Sequence, residues 1–327
     1  MLVVQMALRL NLEEAAVPVV VLTTGGTIAS GRSCDGRISP LAHGAISHLI
    51  GPDVLVHDVM AIDSSTMSLQ RMTALRNAVT AVLDDPDTAA VVILHGTDTL
   101  EETAMFLDLF HDDPRPVVLT GAQRPADHPD PDGPHNISFA IQAARSPDSR
   151  ERGVLIAFGG QVLAARGVRK AHTTRLDAYR QYVPAKERPA ALPWHPTIGQ
   201  QRVDIVALYP GADRTHIDAS ASAGARGIIL DAMGSGNANA NILGAVQEHV
   251  LCGVAVVVTS RVPDGVVEPV YGGSGGGHDL IAAGAIASPW LRAAQARILL
   301  AALLACGAER DQMVDAFAEA RTPVAPR

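Results

Sequence analysis

Two short glycine-containing runs, Thr23-Thr24-Gly25-Gly26-Thr27 and His95-Gly96-Thr97-Asp98-Thr99, each follow an uninterrupted stretch of apolar residues. Buried parallel strands that end this way deliver hydroxyls, a carboxylate and backbone amides to one edge of a sheet, where α/β proteins place ligands. A threonine hydroxyl is a weak nucleophile and needs a base or an activating partner beside it. A lysine held by a carboxylate can serve when its ammonium is desolvated. The densest basic stretch, Arg166–Arg175, is short and on its own reads as a solvated loop. Backbone N–H groups of the glycine turns would hold a developing oxyanion. The set points to acyl transfer or amide hydrolysis with threonine as nucleophile. The competing reading makes the same threonines turn and helix-capping residues.

Other chemistries fit less well. His95 and Asp98 have no third ligand at a supporting spacing, so no metal site is expected. TTGGTIAS does not match GxGxxG, and no Gly-Lys-Ser or Gly-Lys-Thr follows any glycine run, which excludes the dinucleotide and P-loop readings. The run Gly272–Gly277 reads as a flexible loop rather than a phosphate nest. No cofactor is called for.

The elements that must position these residues show as apolar runs at Val17–Leu22, Ala89–Leu94, Pro116–Thr120 and Gly153–Phe158, alternating with helical stretches at Leu69–Leu83, Glu101–Phe110 and Asn136–Arg145. Such alternation predicts a mostly parallel sheet flanked by helices. Pro184, Pro189, Pro193 and Pro196 interrupt residues 181–202, which read as a linker. A second alternating set follows, with strands at Val203–Leu208, Gly227–Leu230 and Gly253–Thr259 and helices at Ile242–Val250, Leu291–Ala305 and Asp311–Ala320. The expected architecture is therefore α/β in two domains: a larger N-terminal catalytic domain over 1–180, the linker 181–202, and a smaller C-terminal α/β domain over 203–327.

Composition agrees with this. Hydrophobic residues make up 47% of the 327 but aromatics only 3%, so the core must be built from Ala, Val, Leu and Ile. A net charge of −8 argues against a nucleic-acid surface, which needs clustered Lys and Arg. Cys34, Cys252 and Cys306 are odd in number and widely spaced, as in neither a disulfide framework nor a zinc site. The amino-terminal run is a poor signal peptide and no apolar segment approaches a membrane span, so a cytoplasmic location is expected, with no membrane partner.

At this point the motifs carry a family resemblance. TTGGTIAS at Thr23–Ser30 and HGTDTLEETA at His95–Ala104 resemble the two signature motifs of bacterial-type L-asparaginases. Five further segments fit in order: Asp63–Met67, Thr120–Pro125, Asp132–Asn136, Val168–Tyr179 and Gly234–Asn239, with Ser260–Pro263 beyond them. The resemblance spans about residues 17–321. It implies hydrolysis of L-asparagine to L-aspartate and ammonia through a β-aspartyl-enzyme ester, without a cofactor. Thr27 matches the nucleophile, and Thr97, Asp98 and Lys170 the second threonine with its carboxylate–lysine pair. Ser64 matches a group that binds the substrate α-carboxylate, and Asp98 also the partner of the α-ammonium. Ser65 stands where the periplasmic branch often has Gln and would grip the substrate more loosely. Backbone around Gly26, Thr97 and Ala122 would line the amide side, and Asn239 would reach a neighbouring subunit's site. The resemblance also implies a homodimer or homotetramer with shared active sites.

The chain departs from the family in the lid, Gly31–Pro40, which has no tyrosine; the aligned residue is Arg37, and a guanidinium cannot relay a proton near neutral pH. Cys34 in the same lid has an incidental role on this reading. Asp279 is the sole carboxylate in the segment GGSGGGHDL, where the periplasmic branch supplies an acidic residue from a partner subunit. Two alternatives therefore accompany the main reading: a catalytically weakened asparagine- or aspartate-binding sensor, and an amidohydrolase leaning toward glutamine. An amidotransferase subunit acting on tRNA-linked substrates fits poorly with an acidic chain whose first strand begins by residue 17.

Overall fold

The computed structural model describes residues 18–32, 38–40, 54–182 and 188–319. Val19–Gly25 (β1) is buried along its whole length and lies inside a six-stranded sheet. Two short strands, Ser30–Arg32 (β2) and Ile38–Pro40 (β3), pair with each other, and Val54–Ile62 (β4) returns to the main sheet beside β1. Ala90–Leu94 (β5), Val117–Thr120 (β6), Val154–Phe158 (β7) and Gln161–Ala164 (β8) extend it on the other side, in the order β4-β1-β5-β6-β7-β8. Every pairing is parallel except β7 with β8.

Side chains of successive strand residues point to opposite faces, and both faces of this sheet are covered. Val20, Leu22, Val91 and Ile93 join one core with Leu69–Leu83 (α1) and Leu100–Leu109 (α2). Val19, Val21, Val92 and Leu94 join a second core with Gly133–Arg145 (α3). Two-sided burial is why these strands read as continuous apolar runs. The ladder then leaves the main sheet through an antiparallel hairpin, Val168–Lys170 (β9) with Tyr179–Gln181 (β10), which pairs Lys170 with Tyr179.

Val203–Ala207 (β11) opens a second, all-parallel sheet with Gly227–Ala232 (β12), Ala255–Ser260 (β13) and Ile286–Ala287 (β14), in that order. Thr215–Ser222 (α4), Ala240–Leu251 (α5) and Gly277–Ala282 (α6) cover one face. Ala293–Ala305 (α7), followed by Arg310–Glu319 (α8), covers the other. Helix α7 is apolar nearly all round because it also packs against α2 of the first unit, so one core runs through both. The fold is thus α/β, with a larger mostly parallel sheet and a smaller parallel one.

Residues 188–202 hold a short 3-10 turn, Pro196–Gln200, and lie against the first unit: the Trp194 ring meets Phe110 edge-on at 5.1 Å and carries the Arg76 guanidinium at 4.4 Å. Strand β4 was not anticipated from sequence. Its His57 and Asp58 interrupt the apolar pattern, and the strand is partly exposed because it sits at the sheet edge. The glycine run Gly272–Gly277 forms an ordered turn against α5: a Cβ at Gly275 would lie 2.4 Å from the Asn239 carbonyl carbon. No helix of the described residues is long and apolar enough to cross a membrane.

Candidate active site

Strand order places the site. The chain leaves β1 toward β4 on one side and returns from β4 to β5 on the other. The sheet order therefore reverses between β1 and β5, and a crevice opens at their carboxyl ends. The threonine runs occupy those ends. Their backbones touch through glycine: a Cβ on Gly26, whose φ is +85°, would fall 2.4 Å from Gly96 Cα, and one on Gly96 would fall 2.4 Å from Ser64 Oγ. Only residues without a Cβ permit this approach. Thr27 and Thr97 directly follow the two packed glycines, so they leave the contact together.

The ends of β4, β1 and β5 are tied laterally. Thr23 Oγ1 donates to Asp58 Oδ1 at 2.6 Å, and Thr24 Oγ1 donates to the Leu94 carbonyl at 3.0 Å. Of the three threonines of the first run, these two are consumed as crosslinks, whereas Thr27, half-buried, opens a 3-10 turn over Thr27–Ala29. Ser64 is buried in the turn after β4; its Oγ accepts from the Asp98 backbone N–H at 3.3 Å and its carbonyl accepts from Thr99 Oγ1 at 2.8 Å. Ser65 is exposed on the same turn, its N–H spent on Asp63 Oδ1 at 2.9 Å.

Lys170 closes the cluster. Its Nζ donates to Thr97 Oγ1 at 2.7 Å and to Asp98 Oδ1 at 3.2 Å, with 19% of its side chain exposed against 60% for Asp98. The second threonine run, 73 positions earlier, thus meets the lysine in hydrogen-bond geometry. Three residues not singled out from sequence hold this arrangement. Tyr179 Oη donates to the Thr97 carbonyl at 2.7 Å, with its ring buried against Phe158. The Glu101 carboxylate accepts from the Lys170 backbone N–H. Gln295, on α7, donates to the carbonyls of Glu101 at 3.1 Å and Ala165 at 2.7 Å, and accepts from Gly167 N–H at 2.7 Å. Glu101 and Tyr179 lay within quoted motifs; Gln295 lies in an apolar helix, and no pattern in the sequence marks it.

The opposite wall is the turn after β6. Ala122 is fully buried with Ile28 beneath the Thr27 turn. Asp132 accepts from the N–H groups of Gln123 at 3.0 Å and Arg124 at 2.9 Å, and Asn136 Nδ2 donates to the Gly121 carbonyl at 3.0 Å. Gln123 Oε1 stands 3.5 Å from Thr97 Oγ1. Asn239 is placed elsewhere: it caps α5 by accepting from Ile242 N–H at 3.1 Å and donates to the Ala212 carbonyl at 2.7 Å, so both ends of its amide are engaged within its own chain. Asp279 accepts from Gly275 N–H at 3.3 Å. Arg37 and Cys34 lie outside the described residues.

His95 is fully buried at the base of the crevice, its Nδ1 2.7 Å from the Gly96 carbonyl. Burial lowers its pKa from 6.5 to about 4, so the ring is neutral. No group of three His, Cys, Asp or Glu side chains able to hold a metal gathers among the described residues. The histidine has a consequence for acid stability. Between pH 6.5 and 4 the unfolded chain binds a proton that the native chain does not, so stability falls as pH falls, by up to about 3 kcal/mol across the window. Glu102 acts in the opposite direction: burial, with Glu101 and Asp98 adding to it, raises it from 4.5 to about 7, and its contribution declines as pH rises through that range. The difference between parent and His95→Gln isolates the histidine. Urea unfolding at pH 4.5 and 7 should show a shallower acid loss in the variant; equal losses would show that His95 does not titrate this way.

The sequence model described as "Asparaginase, N-terminal" matches residues 18–187, and "Glutaminase/Asparaginase C-terminal domain" matches 202–317. The chain belongs to the asparaginase family. An asparaginase-family relative from Deinococcus radiodurans, named "Probable L-asparaginase", is 36% identical over 323 residues, covering 93% of this chain and 98% of that protein. The L-asparaginase of Bacillus licheniformis is 33% identical over 312 residues, covering 88% of this chain and 95% of its own length. In structure, the "Probable Cytoplasmic L-asparaginase" of Campylobacter jejuni superposes with a TM-score of 0.78 at 27% identity, covering 92% of this chain and 98% of that one.

Proposed function

We propose that this chain hydrolyses L-asparagine to L-aspartate and ammonia. The observation that carries the reading is the Lys170–Thr97–Asp98 contact at the strand-order reversal of an asparaginase-family sheet. Thr27 Oγ attacks the side-chain amide carbon. As the C–N bond breaks, ammonia departs carrying the hydroxyl proton, and a β-aspartyl ester remains on Thr27. Water then attacks the ester and restores the hydroxyl. Lys170, held between Asp98 and Thr97, relays protons through the Thr97 hydroxyl in both steps. Amides around Gly26 and the turn at Ala122 face the developing oxyanion. Ser64 takes the α-carboxylate, with Ser65 at the rim, and the exposed oxygen of Asp98 takes the α-ammonium. Arg37 keeps its place as the lid residue aligned with the family tyrosine.

The same reading includes a homo-oligomer, dimer or tetramer, and a cytoplasmic setting, as in the name of the Campylobacter jejuni protein. Nothing in the proposed steps calls on a cofactor. Ammonia release tests the proposal: L-asparagine should be turned over in preference to L-glutamine at equal concentration. Preference for glutamine overturns the substrate assignment, and aspartate binding without turnover of either amide would make the chain a sensor.

A further inference from the structure

A cavity of about 440 Å³ lies where the two units meet, lined among others by Ser68, Gln70, Thr99, Glu102, Arg202 and Arg297. Its volume falls within the range of small-molecule sites. Most of its polar groups are already partnered. Arg202 pairs with Asp204 at 2.9 Å, Gln70 Nε2 donates to the Gly199 carbonyl, Thr99 Oγ1 donates to Ser64, and Ser68 caps α1. Two groups are not. Glu102 Oε2 is buried with no hydrogen-bond partner among the described residues. Arg297 donates its Nε to the Val203 carbonyl at 2.8 Å and is attracted at longer range by Glu102 and Asp204.

Burial disfavours the charged form of both, raising the Glu102 pKa and lowering that of Arg297. The attraction between Glu102 and Arg297 offsets only part of that burial cost, so each keeps a net penalty for its charge. A simple anion would satisfy Arg297 but meet Glu102 and Asp204, the carboxylates that line the cavity. A simple cation would satisfy Glu102 but meet Arg297. The complement of two opposite charges that line one cavity without a contact ion pair is a ligand carrying both.

We infer that this cavity binds a small α-amino acid as its zwitterion, with the ammonium on Glu102 and the carboxylate on Arg297. The site is separate from the crevice at Thr97 and does not depend on amide turnover. It is nonetheless wired to the crevice: Glu102 adjoins Glu101, whose carboxylate holds the Lys170 backbone, and Thr99 holds the Ser64 carbonyl.

L-alanine is the probe, since it has no side-chain amide. Calorimetric titration of the full chain should give, apart from any occupancy of the crevice, an L-alanine site that Glu102→Gln weakens at least tenfold and Asp98→Asn leaves unchanged. Acetate and methylammonium, each carrying half of the zwitterion, should bind at least tenfold more weakly than L-alanine. Arg297→Gln gives the same loss and serves if Glu102→Gln fails to fold. The inference is overturned by absence of L-alanine binding, by binding that survives Glu102→Gln and disappears in Asp98→Asn, or by acetate binding as tightly as L-alanine. Because the readout is binding of a compound with no scissile amide, none of these results turns on whether asparagine is hydrolysed.

Discussion

Replacing Lys170 by methionine should lower kcat for L-asparagine by roughly 10³-fold while KM moves little. The expectation follows from where its Nζ sits, 2.7 Å from Thr97 Oγ1 and 3.2 Å from Asp98 Oδ1. A positioned proton relay contributes on the order of 10²–10⁴ in rate. Methionine keeps the length and the apolar stem but removes the relay. The substrate contacts proposed for Ser64 and Asp98 persist, so binding is spared. Thr27→Ala removes the ester-forming hydroxyl itself and should lose at least as much. Groups that act on one step as a unit are strongly non-additive, so the double variant should be no slower than the worse single one. Ammonia release measured across the three variants checks this. If Lys170→Met retains more than a tenth of the parent kcat, the lysine is a structural tether and the proton relay lies elsewhere.

Much of this arrangement could be read from the chain before any coordinates. A parallel strand buried on both faces has to be an apolar run, and Val19–Leu22 and Val91–Leu94 are such runs, so both strand ends and their threonines were legible. The contact between Lys170 and Thr97 was legible only through resemblance. It depends on the β9–β10 hairpin folding back over α2, which no local pattern specifies. The same limit hid Gln295, whose three hydrogen bonds from the second unit cross more than a hundred positions of sequence. Strand β4 was hidden for a different reason. An edge strand with one face partly open does not need an unbroken apolar pattern, and His57 and Asp58 broke it. The role of Thr23 and Thr24 was ambiguous by composition alone. Three threonines around two glycines look equivalent until the sheet shows two of them tied to Asp58 and Leu94.

The glycine pair beneath the threonines yields the second large effect. Gly26→Ala should destabilise the fold by roughly 3–5 kcal/mol, at the upper end of single-substitution effects, and should abolish most activity. Two terms add. At φ +85° an alanine occupies the left-handed region, which costs about 1–2 kcal/mol for a residue with a Cβ. The new methyl would also lie 2.4 Å from Gly96 Cα and 2.5 Å from Gly96 N, both backbone atoms of a central strand end, and neither can swing aside as a side-chain tip could. Relief requires that β1 and β5 separate at their carboxyl ends, which moves Thr27 away from Thr97. A displacement of an ångström at reacting groups can lose about 10²-fold in rate. Gly160 supplies the control, because its φ is +77° yet a Cβ there meets nothing within 4 Å. Gly160→Ala bears only the conformational term, so urea unfolding should show a loss of about 1–2 kcal/mol with turnover of asparagine intact. Equal destabilisation by the two alanines would mean that the close approach of Gly26 to Gly96 is not what holds the two threonine turns together.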